Sequence, residues 1–445
     1  MPYIPITDRD RKEMLAAIGV DSTEDLFRVI PEDVRNTELR LPAALCEQDV
    51  RRHMKGISSM NVAAEVTTTF LGAGAYNHFI PSGVDYILQR SEFSTAYTPY
   101  QPEISQGTLR VIYEFQTMVC ALLGMDVANA SMYDGATAAA EAALMSAGQT
   151  RRNMVLISGA IHPGYLDVIR TYCWGYGLEV EVLPFKNHAT DMGSLTDELL
   201  DRAACMVLQV PNFFGTIEEA REIAARVKSR GALMVAVVNP ISLGILESPG
   251  EWGADIVAAE GQPMGMGLSF GGPYLGLLAC RKGLMRRMPG RIVGKTLDRE
   301  GKVGYCLTLQ AREQHIRREK ATSNICSNEA LCALAATLYL SLMGPSGVER
   351  AALLSHQKAL KLAEMIGELE GFEILSRGPF FNEFLVRCPR PVSEINDELL
   401  GYGILGGFDL AALKGEKGDT MLICATEQIT DEEIDSLVSI LGDLS

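Results

Sequence analysis

Two polar segments of the chain carry side chains of the types that bind small molecules and anions. The first segment, residues 97–107, contains two prolines and a glycine, which exclude a regular helix before Gly107. Aromatic, amide and carboxyl groups on a rigid loop at the beginning of a helix suit a binding site. An ordinary loop leading into a helix, capped by Ser105 or Thr108, is the alternative. The candidate residues are Tyr97, Thr98, Tyr100, Gln101, Glu103 and Gln106.

The second segment, residues 281–320, is basic in a chain whose formal net charge is −16. Its guanidinium and imidazole groups could hold carboxylates, a phosphate or an acidic partner. A solvated charged face is the alternative, and most charge runs are of that kind. The candidates in this segment are Arg312, His315, Arg317 and Arg318.

His162 and Asp134 stand at positions where sheets of alternating strands and helices bind their ligands. His162 follows a predicted strand, residues 153–158, and ligands lie beyond the carboxyl ends of such strands. A satisfied loop histidine is the alternative. Asp134 precedes an Ala-rich helix whose free amides would attract an anion. Because its carboxylate would satisfy those amides and repel a phosphate, the sequence favours a self-capped helix.

Alternating strands and helices must position these residues. Apolar runs bounded by Gly or Pro, typical of buried strands, occur at residues 233–238, 255–259 and 274–279. Further strands are predicted at residues 179–183 and 205–209, with helices at 163–172 and 217–229. This alternation predicts an α/β fold with a mostly parallel sheet. A helical N-terminal arm (1–60), a large domain (61–330) and a helical connection with a small α+β C-terminal domain (331–445) are expected. The arm should contain a helix from Asp8 to Ile18 that Gly19 stops, and the connection should contain two helices separated at Gly344-Pro345. Residues 70–81 are expected to form a tight loop.

Composition limits the classes of partner and compartment. The chain has 445 residues and a pI of about 5.0, so a general nucleic-acid or anionic-membrane surface is not expected. The ten cysteines form no C-x-x-C pair, which favours reduced thiols in the cytoplasm. The sequence shows no signal peptide, no membrane-spanning apolar run and no H-E-x-x-H metal motif.

The Gly-rich reversal between the second and third apolar runs holds no lysine. A strand, a Gly-rich reversal and a strand resemble the arrangement with which pyridoxal-phosphate enzymes of the aminotransferase type hold their cofactor lysine. No Lys occurs between Lys228 and Lys282. Such enzymes also often stack an aromatic or His ring on the pyridine near the position of His162.

Four distinctive motifs resemble the glycine cleavage system P-protein family, and the similarity extends over nearly the whole chain. The length matches the first of the two homologous subunits in the split form of that enzyme. The resemblance implies a large domain like that of pyridoxal-phosphate-dependent transferases of type I. The motifs are Tyr97-Thr98-Pro99-Tyr100-Gln101 with Gln106-Gly107, Gly261-Gln262-Pro263 through Gly271-Gly272-Pro273-Tyr274, Thr308-Leu309-Gln310-Ala311-Arg312-Glu313-Gln314-His315-Ile316-Arg317-Arg318 and Lys320-Ala321-Thr322-Ser323-Asn324-Ile325-Cys326.

The resemblance also implies a division of labour between two subunits. Gln262 falls at about the register of the family's cofactor lysine, and a glutamine amide is no amine nucleophile. Asn239 replaces the Asp that such folds set against the pyridine nitrogen. Pyridoxal phosphate is therefore expected in a lysine-bearing partner subunit. Together with that partner, the chain is expected to decarboxylate glycine and to pass the aminomethyl group to the lipoyl arm of H-protein. The expected shared pocket or lipoyl channel involves residues 97–107 and 312–324, including Asn324.

Two other functions remain open at this point. The chain could be an autonomous pyridoxal-phosphate enzyme whose lysine lies elsewhere, with Lys282 and Lys295 as candidates. Lys282 follows the third apolar run and is expected to face solvent. The chain could also be a non-catalytic regulatory protein on an aminotransferase-like scaffold.

Overall fold

The computed structural model describes residues 5–35, 41–63, 67–94, 97–415 and 418–444. Contacts within the chain separate two compact units, Met1–Val62 and Ala63–Ser445. The three-domain division expected from the sequence stays a prediction.

The first unit consists of short helices. These are α1 (Asp8–Ile18), a 3₁₀ turn (Glu24–Phe27), α2 (Glu32–Arg35) and α3 (Glu47–Ser58). A capping box between Thr7 and Asp10 starts α1, and Gly19, with φ 84°, ends it, as the sequence predicted. None of the described residues in 5–62 is buried.

The second unit contains the remaining helices. They are α4 (Ser82–Leu88), α5 (Ser91–Ser94), α6 (Gln106–Leu123), α7 (Gly135–Thr150), α8 (Pro163–Gly175), α9 (Asp197–Arg202), α10 (Ala220–Ser229), α11 (Pro249–Trp252), α12 (Gln314–Arg317), α13 (Ala330–Gly367), α14 (Val392–Gly401) and α15 (Asp431–Asp443).

All the strands of the described residues lie in the second unit. They are β1 (Thr68–Thr69), β2 (Val127–Ala128), β3 (Met154–Ser158), β4 (Glu179–Leu183), β5 (Phe185–Lys186), β6 (Ala189–Thr190), β7 (Ala203–Val210), β8 (Leu233–Val238), β9 (Ile256–Glu260), β10 (Gly276–Cys280), β11 (Ile292–Leu297), β12 (Val303–Thr308), β13 (Glu373–Ile374), β14 (Glu383–Arg387), β15 (Ile404–Leu405), β16 (Phe408–Asp409) and β17 (Thr420–Cys424).

The central sheet has seven strands in the order β2-β10-β9-β8-β7-β3-β4. Strand β10 is antiparallel to β9 and β2, and the other neighbours are parallel. Helices α7 and α8 pack on one face of the sheet, and α6, α10 and the first half of α13 pack on the other. Burial on both faces explains why inner strands such as β3 and β8 are continuous apolar runs, whereas the edge strand β4 alternates Glu and Val.

A smaller antiparallel sheet, β13-β14-β17-β16, packs against α14, α15 and the second half of α13. Helix α13 therefore connects the cores of the two sheets. It bends at Gly344, whose φ is 62°, and Pro345 follows, so it consists of the two helices that the sequence predicted.

Helix α13 is also long and apolar enough to cross a membrane by length and composition alone. This is weak evidence, because a core helix of a water-soluble protein meets the same criterion. Its buried residues, among them Tyr339 and Leu362, pack into the two cores.

The hairpin β11–β12 is an element that the sequence analysis did not predict. It pairs Ile292–Leu297 with Val303–Thr308 in an antiparallel register. The segment was noted only for its basic charge. Most residues of its strands are at least partly exposed, and their polar and apolar residues do not alternate regularly. The sequence pattern therefore gave little indication of strands here.

Candidate functional site

The beginning of α7 is occupied by carboxylates of the chain itself. Asp134 is the N-cap residue, and its Oδ1 accepts a hydrogen bond from the Thr137 amide at 2.7 Å. The Gly135 amide donates to Glu260 Oε2 at 2.9 Å. The self-capped helix predicted from Asp134 is therefore confirmed, and Glu260 supplies a second carboxylate that the prediction did not include.

Glu260, the last residue of β9, ties three segments together. Its Oε1 accepts from the amides of Gln262 at 2.9 Å and Leu275 at 3.0 Å, while Oε2 takes the bond from α7. Burial raises the pKa of Glu260 to about 7, although the three amide donors oppose this shift. The sequence feature that could have indicated this role is a carboxyl group at the end of an apolar strand, directly before Gly261.

Gln262 is fully buried, and its amide is used for structure. Its Nε2 donates to the carbonyl oxygens of Tyr76 at 3.0 Å and Met266 at 2.9 Å. Its Oε1 accepts from the Tyr76 amide at 3.0 Å. The side chain thus satisfies both backbone groups of Tyr76, as a paired strand residue would.

His162 is held in one tautomer at the beginning of α8. Its Nδ1 accepts from the Gly164 amide at 3.0 Å, so Nε2 carries the proton and donates to the Ala73 carbonyl at 2.9 Å. The ring lies edge-on to Phe213, with centroids 5.0 Å apart. Burial lowers the pKa of His162 and keeps the ring neutral.

The loop of residues 70–77, predicted as a tight loop, lies between these side chains and strand β14. Glu383 Oε1 accepts from the Ala73 amide at 2.6 Å, and its Oε2 accepts from the Tyr76 hydroxyl at 2.7 Å. Burial raises the pKa of Glu383 to about 7. A Cβ at Gly74, whose φ is 109°, would lie 3.0 Å from the His162 ring, so the loop approaches as only glycine permits.

These residues do not fit pyridoxal phosphate. Gln262, at the register expected for the cofactor lysine, is a buried amide, and two backbone amides of the first turn of α7 are bonded to carboxylates. Asn239 uses its Oδ1 to accept from the Ile241 amide at 3.0 Å, so it caps the 3₁₀ turn that follows β8. The group of Asp134, Glu260, Gln262, His162 and Glu383, here called the strand-end cluster, is a closed hydrogen-bonded set.

A second group forms where the two predicted polar segments meet. Gln106, the first residue of α6, donates through Nε2 to the carbonyls of Tyr305 at 2.8 Å and Pro102 at 2.7 Å. Its Oε1 accepts from the Tyr305 amide at 2.9 Å. Gln106 therefore fixes the loop of residues 97–105 to strand β12.

Arg291 connects the loop to the basic segment, and the sequence analysis had noted it only as one charge in a run. Its guanidinium lies 5.4 Å from the centroid of the Tyr100 ring and donates to the Tyr100 hydroxyl at 3.2 Å. It also donates to the Cys326 carbonyl at 2.7 Å, and only 4% of the residue is exposed. The edge of His315 approaches Tyr100, with ring centroids 6.4 Å apart.

The other candidates divide into structural and exposed side chains. Arg312 is half-buried and donates to the carbonyls of Leu309 and Gly290 at 3.0 Å and to that of Met288. Burial lowers its pKa, and its contacts are structural. Arg317 donates to the Ala311 carbonyl at 3.3 Å and is otherwise exposed. The remaining candidates are exposed or half-exposed, and they are Tyr97, Thr98, Gln101, Glu103, Arg318 and Asn324.

The structure thus separates the sequence candidates into two groups. Residues 97–107 and 312–324 meet through Tyr100, His315 and Arg291, and we call them the aromatic-basic surface. His162 belongs to the strand-end cluster, where its ring nitrogens contact Ala73 and Gly164. Gln262 also lies in that cluster. Which of these residues reach a partner stays a prediction.

Comparison with known proteins gives one consistent family. The family model described as glycine cleavage system P-protein matches residues 1–441. The chain is 54% identical over its full length to the probable glycine dehydrogenase (decarboxylating) subunit 1 of Desulfitobacterium hafniense, covering 100% of both chains. It is 52% identical to the protein of the same name from Geobacillus kaustophilus, over 99% of this chain and 98% of that one.

Solved structures agree at two levels of similarity. A crystal structure of glycine decarboxylase (P-protein) of the glycine cleavage system, in inhibitor-bound form, superposes with a TM-score of 0.93 at 40% identity over 100% of both chains. A NifS-like protein matches with a TM-score of 0.63 at 15% identity, over 85% of this chain and 99% of that one. The second match shows the fold alone, and it is the α/β fold that the sequence predicted.

Proposed function

The chain belongs to the glycine cleavage system P-protein family, and from this premise we propose that it is the subunit without a cofactor lysine in a two-subunit glycine decarboxylase. The curated relatives carry the name subunit 1, and the chain covers their full length. The observation that supports the absence of a cofactor lysine most directly is Gln262, whose buried amide is fully used by the backbone of Tyr76 and Met266.

Our proposal assigns pyridoxal phosphate to the partner subunit. Within the enzyme the cofactor supplies an electron sink for the loss of CO2 from glycine. The strand-end cluster of this chain has no amine for the aldehyde of the cofactor. Two backbone amides in the first turn of α7, which could otherwise bind its phosphate, are already bonded to carboxylates. The role of this chain is then to complete and position the partner's site.

We further propose that the aromatic-basic surface faces the partner's active site or the channel of the lipoyl arm of H-protein. Tyr97 is 83% exposed and Tyr100 53% exposed, in a loop that Gln106 and Arg291 hold in place. Within the described residues Arg317 and Arg318 take part in no ion pair. Exposed cations and aromatic rings on a fixed loop suit an anionic or acidic partner.

The alternative of an autonomous pyridoxal-phosphate enzyme has less support. Lys282 begins a 3₁₀ turn after β10 and is exposed, and Lys295 is exposed on strand β11. Neither lies at the Gly-rich reversal. We place the protein in the cytoplasm, in keeping with ten cysteines that are all free thiols.

The test is to purify the chain and the lysine-bearing subunit separately and to assay glycine–bicarbonate exchange. We expect exchange only when both are mixed, because each would supply part of one site. Borohydride reduction of this chain with excess pyridoxal phosphate should leave no stoichiometric lysine adduct. A stoichiometric adduct on one lysine of the isolated chain, or full exchange by the other subunit alone, would contradict the proposal.

A further inference from the structure

The tip of the Gly-rich reversal between β9 and β10 has an unusual backbone. Four successive residues, 269–272, have positive φ: 47° at Ser269, 52° at Phe270, 101° at Gly271 and 145° at Gly272. Glycine adopts such values without strain, whereas Ser and Phe do so only at an energetic cost. The sequence places glycine at two of the four positions and leaves the other two strained.

The side chain of Phe270 gains no burial in return for this strain. The residue is 85% exposed, so a large apolar ring is held in solvent by an unfavourable backbone conformation. Strain of this kind persists where the surrounding structure imposes it, and it is concentrated at functional sites. Neither the backbone nor the hydrophobic effect within this chain accounts for the position of the ring.

The base of the reversal is fixed, so the tip is presented in a defined position. The Gly261 amide donates to the Leu275 carbonyl at 2.7 Å, and Glu260 accepts from the Leu275 amide at 3.0 Å. Nearer the tip, the Tyr274 hydroxyl donates to the Leu268 carbonyl at 3.0 Å, and the Gly271 amide donates to the same oxygen at 3.1 Å. A preorganised apolar side chain binds with a smaller loss of conformational entropy.

We propose that Phe270 is an anchor that inserts into an apolar pocket of the lysine-bearing partner subunit. The inference rests on the proposed function, since the relatives are named as one subunit of an enzyme and so imply a second. Buried aromatic anchors contribute much of the binding energy at protein interfaces, and a ring exposed in the free chain is available for that role.

The test compares Phe270→Gly with Phe270→Ala and with Trp174→Ala. Trp174 lies near the end of α8, is 82% exposed and has an ordinary helical backbone, so it is a matched aromatic control. Each full-length variant is titrated with the purified partner subunit, and Kd is measured by sedimentation or calorimetry. The Tm of each isolated chain is measured in parallel.

We expect Phe270→Gly and Phe270→Ala to weaken association by about tenfold or more, and Trp174→Ala to leave Kd unchanged. Phe270→Gly should keep or raise the Tm of the isolated chain, because glycine removes the strain. If Phe270→Gly bound the partner with the wild-type Kd, Phe270 would not be an anchor. Glycine–bicarbonate exchange by the wild-type pair would then still support the proposed function. Failure of the wild-type chain to bind the partner would overturn both. If Phe270→Gly abolished self-association of the chain but left partner binding unchanged, the ring would bind a second copy of this chain. The proposed role of Phe270 as an anchor for the partner subunit would then be wrong.

Discussion

Three buried or largely enclosed carboxyl groups give this chain its most distinctive residue-level chemistry. Burial raises the pKa of Glu141, Glu260 and Glu383 to about 7 in each case. Within the described part of the chain none of them is in an ion pair, and hydrogen-bond donors hold them instead. Each group prefers its neutral form more strongly in the fold than in the unfolded chain, so each makes stability depend on pH.

Glu141 offers the clearest test of this dependence. It is 2% exposed on α7, its Oε1 accepts from Ser323 Oγ at 2.5 Å, and its Oε2 has no hydrogen-bond partner among the described residues. The pKa of Glu141 in the fold lies above the ordinary glutamate value of 4.5, so the free energy of unfolding falls as pH rises from about 4.5 to 7 and stays low above pH 7. We expect Glu141→Gln, which cannot ionise, to raise the free energy of unfolding at pH 8 by about 2 kcal/mol.

The gain should shrink as pH falls towards 5, where the carboxyl of the wild-type fold is protonated. Urea denaturation at pH 5 and pH 8 measures this gain, and Glu364→Gln, at an exposed site on α13, is the control. A difference of equal size at both pH values would show that burial of the charge is not the cause.

Some residue roles were accessible from the sequence and others were not. Asp134 was predicted as a cap because a carboxylate directly before an Ala-rich segment has a local meaning. The partner of Gln262 is Tyr76, 186 residues earlier, and Glu260 meets Gly135 across 125 residues. Contacts between residues so far apart in the chain leave no periodic pattern in the sequence. The hydrogen bonds of the strand-end cluster could therefore not be predicted.

At the scale of elements, α7 approaches its neighbours closely at its first residue, Gly135. A Cβ at Gly135 would overlap the Tyr165 hydroxyl of α8 and lie 2.8 Å from the Glu260 amide nitrogen of β9. We expect Gly135→Ala to lower the free energy of unfolding by about 1–3 kcal/mol, because neither neighbour can move without disturbing its own element.

Gly175→Ala, at the end of α8, is the matched control, since a Cβ there has nothing within 4 Å. It should be neutral or stabilising by up to about 1 kcal/mol, as alanine favours the helix. Thermal or urea denaturation of the two variants provides the comparison. Equal effects of Gly135→Ala and Gly175→Ala on the free energy of unfolding would mean that α7 can shift to accommodate the added Cβ.

Element predictions succeeded where burial gives a strand a clear pattern, which is an uninterrupted apolar run in β8 and an alternation of Glu and Val in β4. Strands β4 and β8 were predicted with the bounds that the structure shows, and the parallel order followed from their separation by helices. Hairpin β11–β12 was missed because its half-exposed residues and basic charge give no such run. Comparison with relatives then confirmed the family that the four motifs had indicated.

At the scale of the whole molecule, the two compact units differ in how they are stabilised. The second unit has large apolar cores on both faces of its sheet, whereas the described residues in 5–62 include no buried side chain. We expect deletion of residues 1–62 to leave the free energy of unfolding of the remaining chain nearly unchanged, because none of the described residues that it removes is buried.

Deletion of α15 is the control, since Ile434, Leu437 and Leu441 are buried there. Its loss should cost more than about 5 kcal/mol, given the cost of removing several core side chains. Differential scanning calorimetry of both truncated chains measures the two effects. A large drop in Tm after the N-terminal deletion would show that this unit contributes to the core.

The carboxylate that Glu260 sets against α7 limits what a change at position 262 alone could achieve. In a Gln262→Lys variant the Tyr76 amide would lose its acceptor, and an anion near the beginning of α7 would still meet two carboxylates. Opening this end of the sheet to a phosphate would therefore require replacement of Asp134 and Glu260 as well.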